Sequence, residues 1–560
     1  MSTSEDDVVK ANYPFLLHRG LLGPVALGAL LGALLGACTA FDKELEPKPE
    51  CTTNAECTDK MSSGGTTTPA MCIKEPAAHC VQLTSEDCSI ITGDYMDDNA
   101  VLIASLLSVT GAQGATNIPR QQSAIMAVEE INASNASSGI LQSSAPGDTR
   151  KLVMLSCNEA TNLPRAATHL ITELHVPAIV GPNLSQDTLD LTLGDPARGL
   201  PSSAQAGTAL MSPAAVASAI ATIPDNGLSF MMVPSDIQRV PLMKIRINQL
   251  ETQLRVARGN KPIIKIGIWY RGDALGEGTR DGLSTLTING NPLAMEIAKG
   301  NAREDMYSPT STDNSAMVQQ YITFKPDIIV LVGTAEAASL FANPLETAWA
   351  AMLPTAPKPY YVAIDSTKVP EVITAVTANS ELHVRWSGTG VTPTPESQPV
   401  LSAFQIAYGQ RWKDAMGNPQ PATQSGMGPA YDAVYTIALS LVGKKDIHGA
   451  TISTSMPRLA TNSVACTSDA SGVQSPCFTI SDNKRTLYSN MSMLLGDKPV
   501  TEIGTFGRLE WDSQGAKSSG VIELWCIDFT GTKPVFASSG QTYDVKTQTL
   551  SATPYTPCGP

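Results

Sequence analysis

The chain has 560 residues, a formal net charge of −14, and 42% hydrophobic against 16% charged residues. That length and apolar content describe a globular protein large enough for two lobes with cores of their own. The acidity, with no cluster of lysines and arginines, excludes a nucleic-acid groove, because phosphate binding needs concentrated positive charge.

Residues 1–37 read as an export signal. Lys10 and Arg19 precede the apolar, Gly/Ala-rich run Leu21–Ala37, which is shorter than a comfortable membrane span. The run ends Leu35-Gly36-Ala37-Cys38, which resembles the bacterial lipobox. That resemblance implies a lipid on Cys38, a mature N-terminus there, and a body tethered on the periplasmic side of the cell envelope, at the inner or the outer membrane. The alternative is a short apolar anchor that stays attached, and Glu5, Asp6 and Asp7 are an unusual start for a signal peptide. Both readings leave the body outside the cytoplasm.

Residues 38–97 are rich in Pro, Thr, Ser and Gly, and five cysteines follow Cys38 at Cys51, Cys57, Cys72, Cys80 and Cys88. No Cys-x-x-Cys pair occurs and His79 stands alone, so no metal site is expected. With Cys38 set aside, ten of the 11 cysteines remain, and an even count in an exported chain favours disulfides. The region is expected to be a disulfide-pinned stalk. Five cysteines cannot pair among themselves, so one is expected to bond to the body, with Cys88 to Cys157 as the assignment. Cys466 is expected to pair with Cys477, and Cys526 with Cys558.

The body begins near Asp98. Ala100–Thr110 and Lys151–Cys157 are apolar runs of buried-strand length, and Val176–Val180 is a third. Between them, Ile125, Val128 and Ile131 mark a helix over 120–132, and a second helix covers 163–174. Gly181-Pro182 ends the third strand, with Ser185 where a helix N-cap would sit. Strands alternating with helices predict a parallel sheet covered on both faces, with ligands bound beyond the carboxyl ends of the strands.

The wording of these blocks carries more. Ala127-Val-Glu-Glu-Ile-Asn132, Gly139 and the Lys151 strand come first, then Gly181-Pro-Asn-Leu-Ser185, Thr208–Pro213 and Phe230–Asp236. Ile263–Gly278, Asp327–Thr334, Tyr360–Asp365 and Gly388–Thr392 follow, and Gly507-Arg-Leu-Glu-Trp-Asp-Ser-Gln-Gly515 closes the series. In this order over about 98–540 they resemble the type I periplasmic binding proteins, nearest the Leu/Ile/Val-type substrate-binding proteins of ABC transporters. The resemblance implies an α/β chain of two doubly wound, Rossmann-like lobes, with a ligand cleft between them and crossover strands at the hinge. It divides the body into lobe one (98–240), lobe two (241–384), a return to lobe one (385–495) and a lobe-two hairpin with the C-terminal tail (496–560). The implied function is capture of a small polar, amino-acid-like solute by hinge closure for an ABC-type permease. The alternative is a sensor that passes occupancy to a signalling partner.

The resemblance also nominates the contacts. Ser185 aligns with the ligand serine of the first lobe, although a plain N-cap would explain it equally. Ser212-Pro-Ala-Ala-Val216 is the second contact loop, offering Ser212 and backbone N–H groups such as that of Ala214. The family's threonine hydroxyl is replaced there by Val216, and a cleft tyrosine by Leu275. Asp365 aligns with the acceptor of a ligand ammonium, or is a plain turn aspartate. From position alone, Thr334 ends a strand with Glu336 just beyond it, either reaching the cleft or standing at a solvated helix N-terminus, and Trp269 and Tyr270 end a strand at the cleft, where one stacks on the ligand or both belong to the core. No cofactor is expected. No catalytic set is either: the six histidines lack metal or triad spacing, and His-Glu-x-x-His, Gly-x-Ser-x-Gly and P-loop motifs are missing.

Overall fold

The run Val101–Leu107 is buried along all 7 of its residues, as a strand covered on both faces must be. It lies near the middle of the first sheet in a computed structural model that describes residues 49–75, 77–134, 138–259, 263–460, 477–480, 484–531 and 533–559. Cys38 and Cys466 therefore lie outside the described residues. The sheet has 6 strands, in the order Ser229–Met231, Ala209–Ser212, Ala178–Val180, Val101–Leu107, Leu152–Asn158 and Cys88–Thr92. All pairings are parallel except the last, in which Cys88–Thr92 runs antiparallel along the outer edge.

One face of this sheet is covered by the helices Gly114–Asn132 and Met427–Ser440. All 14 residues of Met427–Ser440 are buried, which makes it the axis of the lobe-one core. Asp432 within it is tolerated because Thr505 donates to its carboxylate from both its backbone N–H and its hydroxyl. The other face packs against Leu163, Leu170, Ile171 and Leu191.

The second sheet has 8 strands, and its order begins Ala302–Tyr307, Ile266–Arg271, Ile328–Val332, Tyr360–Ala363, Trp386–Thr392. Those neighbours are parallel; Val521–Asp528, Val535–Asp544 and Thr549–Leu550 then add antiparallel pairings. Residues alternate between the faces, as a period of two demands. Ile329, Leu331 and Trp269 enter an aromatic-rich cluster, whereas Ile328, Val330 and Ile268 pack under the crossing helix Asp236–Ala257.

Two boundaries differ from the sequence reading. Trp386–Thr392 does not return to lobe one; it is hydrogen-bonded between two lobe-two strands, so the crossing follows Thr392. Residues 496–519 belong to lobe one: Val500, Ile503 and Leu509 enter its core, and Trp511 Nε1 donates to the Met231 carbonyl at 2.8 Å. The crossing back to lobe two comes just before Val521.

The expected stalk is also packed onto lobe one. Cys51–Cys72 and Cys57–Cys80 close a small knot, and Met71 and Leu83 join the lobe-one cluster. The fifth cysteine bonds to the body as Cys88–Cys157. A linker-like composition concealed an edge strand, whose docking covers backbone groups that would otherwise stand open for pairing. Cys526–Cys558 ties the C-terminal tail to its strand, and Cys477 is disulfide-bonded. No helix among the described residues is long and apolar enough to cross a membrane.

Candidate functional site

A cavity of about 240 Å³ lies between the lobes near the crossings. Lobe one contributes Arg120 from its first helix, Ala214 from the loop after Ala209–Ser212, and the 424–429 segment; lobe two contributes Asp365, Lys368 and Glu523. A smaller cavity of about 50 Å³ adjoins it and shares Arg120, Ala214 and Asp365. Ser185, Leu275 and Thr334 line that smaller space. The lobes touch across it: Gln113 Nε2 donates to Thr334 Oγ1 at 3.4 Å, and the Ala274 N–H donates to Gln186 Oε1 at 3.3 Å.

Ser185 is the first residue of the helix Ser185–Leu193, with Leu184 at the cap position. Its hydroxyl therefore serves another segment, accepting from the N–H groups of Val216 (3.1 Å) and Ala217 (3.2 Å). The Ser212 hydroxyl donates to the Pro182 carbonyl and accepts from the Ala215 N–H at 3.0 Å. Both serines brace the contact loop, and Ser212, wholly buried, is not on either cavity wall. Val216 packs into the lobe-two core beside Leu275 and the crossing helix, where a threonine hydroxyl would need a partner.

Asp365 is on the cavity wall, but its carboxylate is already occupied. Arg239, reaching from the first turn of the crossing helix, donates to Asp365 Oδ1. The expected ammonium acceptor is thus the counterion of an arginine. Thr334 is engaged too, donating to Glu336 while Gln113 approaches it. Burial raises the Glu336 carboxyl, but the Arg271 guanidinium at 2.9 Å with the Thr334 and Tyr307 hydroxyls outweighs it, holding that carboxyl below the usual range. Trp269 does not reach the cleft. Its ring is stacked between Tyr307 at 3.8 Å and Phe341 at 4.3 Å, on the face of the sheet that points to the aromatic core. Alternation along the strand decides this.

Arg120 and Arg239, which no sequence motif nominates, both line the large cavity. Arg120 donates to the Ser425 carbonyl at 2.7 Å, to Asn117 Oδ1 at 2.9 Å, and to Asn183 Oδ1. Burial lowers its pKa to about 10, and the charge of Asp365 acts the other way. The signal was present: Arg120 falls on the helical stripe of the buried residues Ala124, Val128 and Ile131, where a charge is costly unless it has a task. Arg239 is likewise on the buried face of its helix, with Val240 and Met243. Among the described residues, the sulfurs of Cys51, Cys57 and Cys72 lie close enough to hold a metal ion, but each is in a disulfide and offers no thiolate.

No known family's sequence profile matches the chain, and no curated protein matches it. Solved structures do. The branched-chain amino acid transporter substrate-binding protein LivJ from Streptococcus pneumoniae, in complex with isoleucine, is 18% identical with a TM-score of 0.50, over 78% of this chain and 99% of that one. The leucine-binding protein LivK from Thermotoga maritima is 14% identical with a TM-score of 0.51, over 78% and 98%. A solute-binding protein of an ABC transporter from Rhodopseudomonas palustris, in complex with benzoate, is 10% identical with a TM-score of 0.51, over 82% and 99%. The two lobes, the three crossings between them and this likeness agree: the chain has the fold of the type I periplasmic binding proteins.

Proposed function

We propose that this protein is a binding protein, not an enzyme, which captures a small polar solute between its lobes and hands it to an ABC-type permease. It does so outside the cytoplasm, held to the membrane by a lipid on Cys38. The observation that carries the reading is the cavity of about 240 Å³ walled by both lobes beside the crossings, the place where closing the lobes desolvates a ligand. The solutes named with the structural neighbours, isoleucine and benzoate, are of a size such a cavity can take.

Mass spectrometry of the full-length protein, purified natively and then denatured, tests the reading. One small molecule released in stoichiometric amount is expected. A protein that carries none, and whose solution scattering stays unchanged across a broad panel of small solutes, overturns solute capture. Labelling with a radioactive fatty acid tests the anchor: Cys38→Ser should abolish the label.

A further inference from the structure

The large cavity has three cationic side chains on its wall, Arg120, Arg239 and Lys368, and two carboxylates, Asp365 and Glu523. Both carboxylates are taken: Asp365 by Arg239, and Glu523 by Lys368 at 3.1 Å. Arg120 is left with neutral oxygens only, from Ser425, Asn117 and Asn183, and no hydrogen bond engages its Nη2 among the described residues. A buried guanidinium with no directly bonded carboxylate is unfavourable, yet the fold builds around it; Asp365, already paired with Arg239, acts on it only at a distance. Gly426 has φ +84°, and a Cβ there would stand 2.5 Å from Arg120 Nε, so the glycine makes room for this arginine. The rest of the wall is largely apolar, with Val391, Leu401, Phe404, Met427 and Phe506.

Resting on the solute-capture reading, the geometry points to a ligand with one carboxylate, received by Arg120, an apolar body against Leu401, Phe404 and Phe506, and no ammonium group. The planar guanidinium fork suits a carboxylate. One uncompensated positive charge balances a monoanion, whereas a phosphate dianion would bring a second charge with no partner. An ammonium would enter a wall already in positive excess, whose carboxylates both have cations. Burial leaves Arg120 charged at neutral pH.

Calorimetry on the full-length protein in detergent tests this with four probes: 4-methylpentanoate, benzoate, leucine and 4-methylpentanamide. At least one of the two carboxylates is expected to bind. The amide, which matches 4-methylpentanoate without its charge, and leucine, which adds the ammonium, should each be weaker by about 30-fold or more, as for loss of a desolvated charge pair. Arg120→Gln should weaken the carboxylate by a similar factor, and Arg120→Lys by less. If Arg120→Gln fails to fold, the four-probe series on the unaltered protein still decides. Leucine or the amide binding as tightly as the carboxylates overturns the inference, and so does carboxylate binding that Arg120→Gln leaves unchanged. If no probe binds and a neutral or cationic solute co-purifies, the inference falls while solute capture stands. If no probe binds and nothing co-purifies, both fall.

Discussion

The two walls of the cleft handle charge in opposite ways. On the lobe-two side every charge has its partner: Asp365 with Arg239 of the crossing helix, Glu523 with Lys368, and Glu336 with Arg271. On the lobe-one side the hydroxyls of Ser185 and Ser212 are spent on bracing a loop, and Arg120 hydrogen-bonds no carboxylate among the described residues. A surface can thus line a cleft without being available to a ligand. What identifies a receptor group is an unmet electrostatic demand, and that demand is on lobe one.

The firmest way to break this contrast is to unbalance lobe two. Asp365→Ala leaves Arg239, almost fully buried, without its counterion. Removing one partner of a buried pair costs about 3–5 kcal/mol, so the urea midpoint should fall sharply at an unchanged slope. The variant should also bind 4-methylpentanoate more tightly, since a second guanidinium then seeks an anion. A midpoint that stays in place would mean that water, not Asp365, satisfies Arg239.

Asp236 sits where the walls join, at the first turn of the crossing helix. Its Oδ1 accepts from the N–H groups of Ile237 and Ser218, but its buried Oδ2 has no hydrogen-bond partner among the described residues, and burial raises its pKa from 3.8 to about 6. Below pH 4 the group is protonated whether the chain is folded or not. Between about pH 4 and 6 only the unfolded chain releases its proton readily, so this group's contribution to stability falls as pH rises through that window and stays low above it. The difference between 3.8 and about 6 corresponds to about 3 kcal/mol. Asp236→Asn should flatten this part of the curve of Tm against pH; an unchanged slope would assign it to other acids.

Much of the fold could be read from the sequence because strands buried on both faces and helices with one apolar stripe leave periodic marks. Val101–Leu107 and Leu152–Asn158 fall within a few residues of the expected runs. The site was harder to read for a physical reason. The partner of Asp365 is 126 residues away in the chain, and no local pattern states that Arg239 will arrive there. The sequence puts Ser185 at the strand-to-helix junction where it is found, but one residue decides whether a hydroxyl caps its own helix or serves a neighbouring loop. For Trp269 the period of two defined the faces of the strand without saying which one looks onto the cleft. The Cys51–Cys88 region misled by composition, since disulfides let a short, polar segment pack where its own apolar content would not.

Ser185→Ala probes the bracing role directly. It removes the acceptor for two backbone N–H groups, those of Val216 and Ala217, and leaves them buried. The expected loss is about 1–3 kcal/mol of stability, read as a lower Tm without ligand. If Ser185 instead bonds the ligand, Tm without ligand should hold and only affinity should drop.

The smallest effect is expected at the contact between the walls. Gln113 Nε2 reaches Thr334 Oγ1 at 3.4 Å, a long bond between neutral groups beside the small cavity. Such a bond contributes about 0.5–1 kcal/mol, which is a factor of roughly two to five in an equilibrium. Because it joins residues of different lobes, its loss should act on the balance between open and closed forms and leave each lobe's own stability alone. Gln113→Ala should therefore keep the Tm within a degree or so while weakening carboxylate binding two- to fivefold. Gln186, which accepts from the Ala274 N–H at 3.3 Å, bridges the same lobes at a separate point. If both bonds bias one closure equilibrium, the free-energy costs of Gln113→Ala and Gln186→Ala should add in the double variant. A double variant with wild-type affinity would show that the closed form is held by the ligand and the buried charges alone.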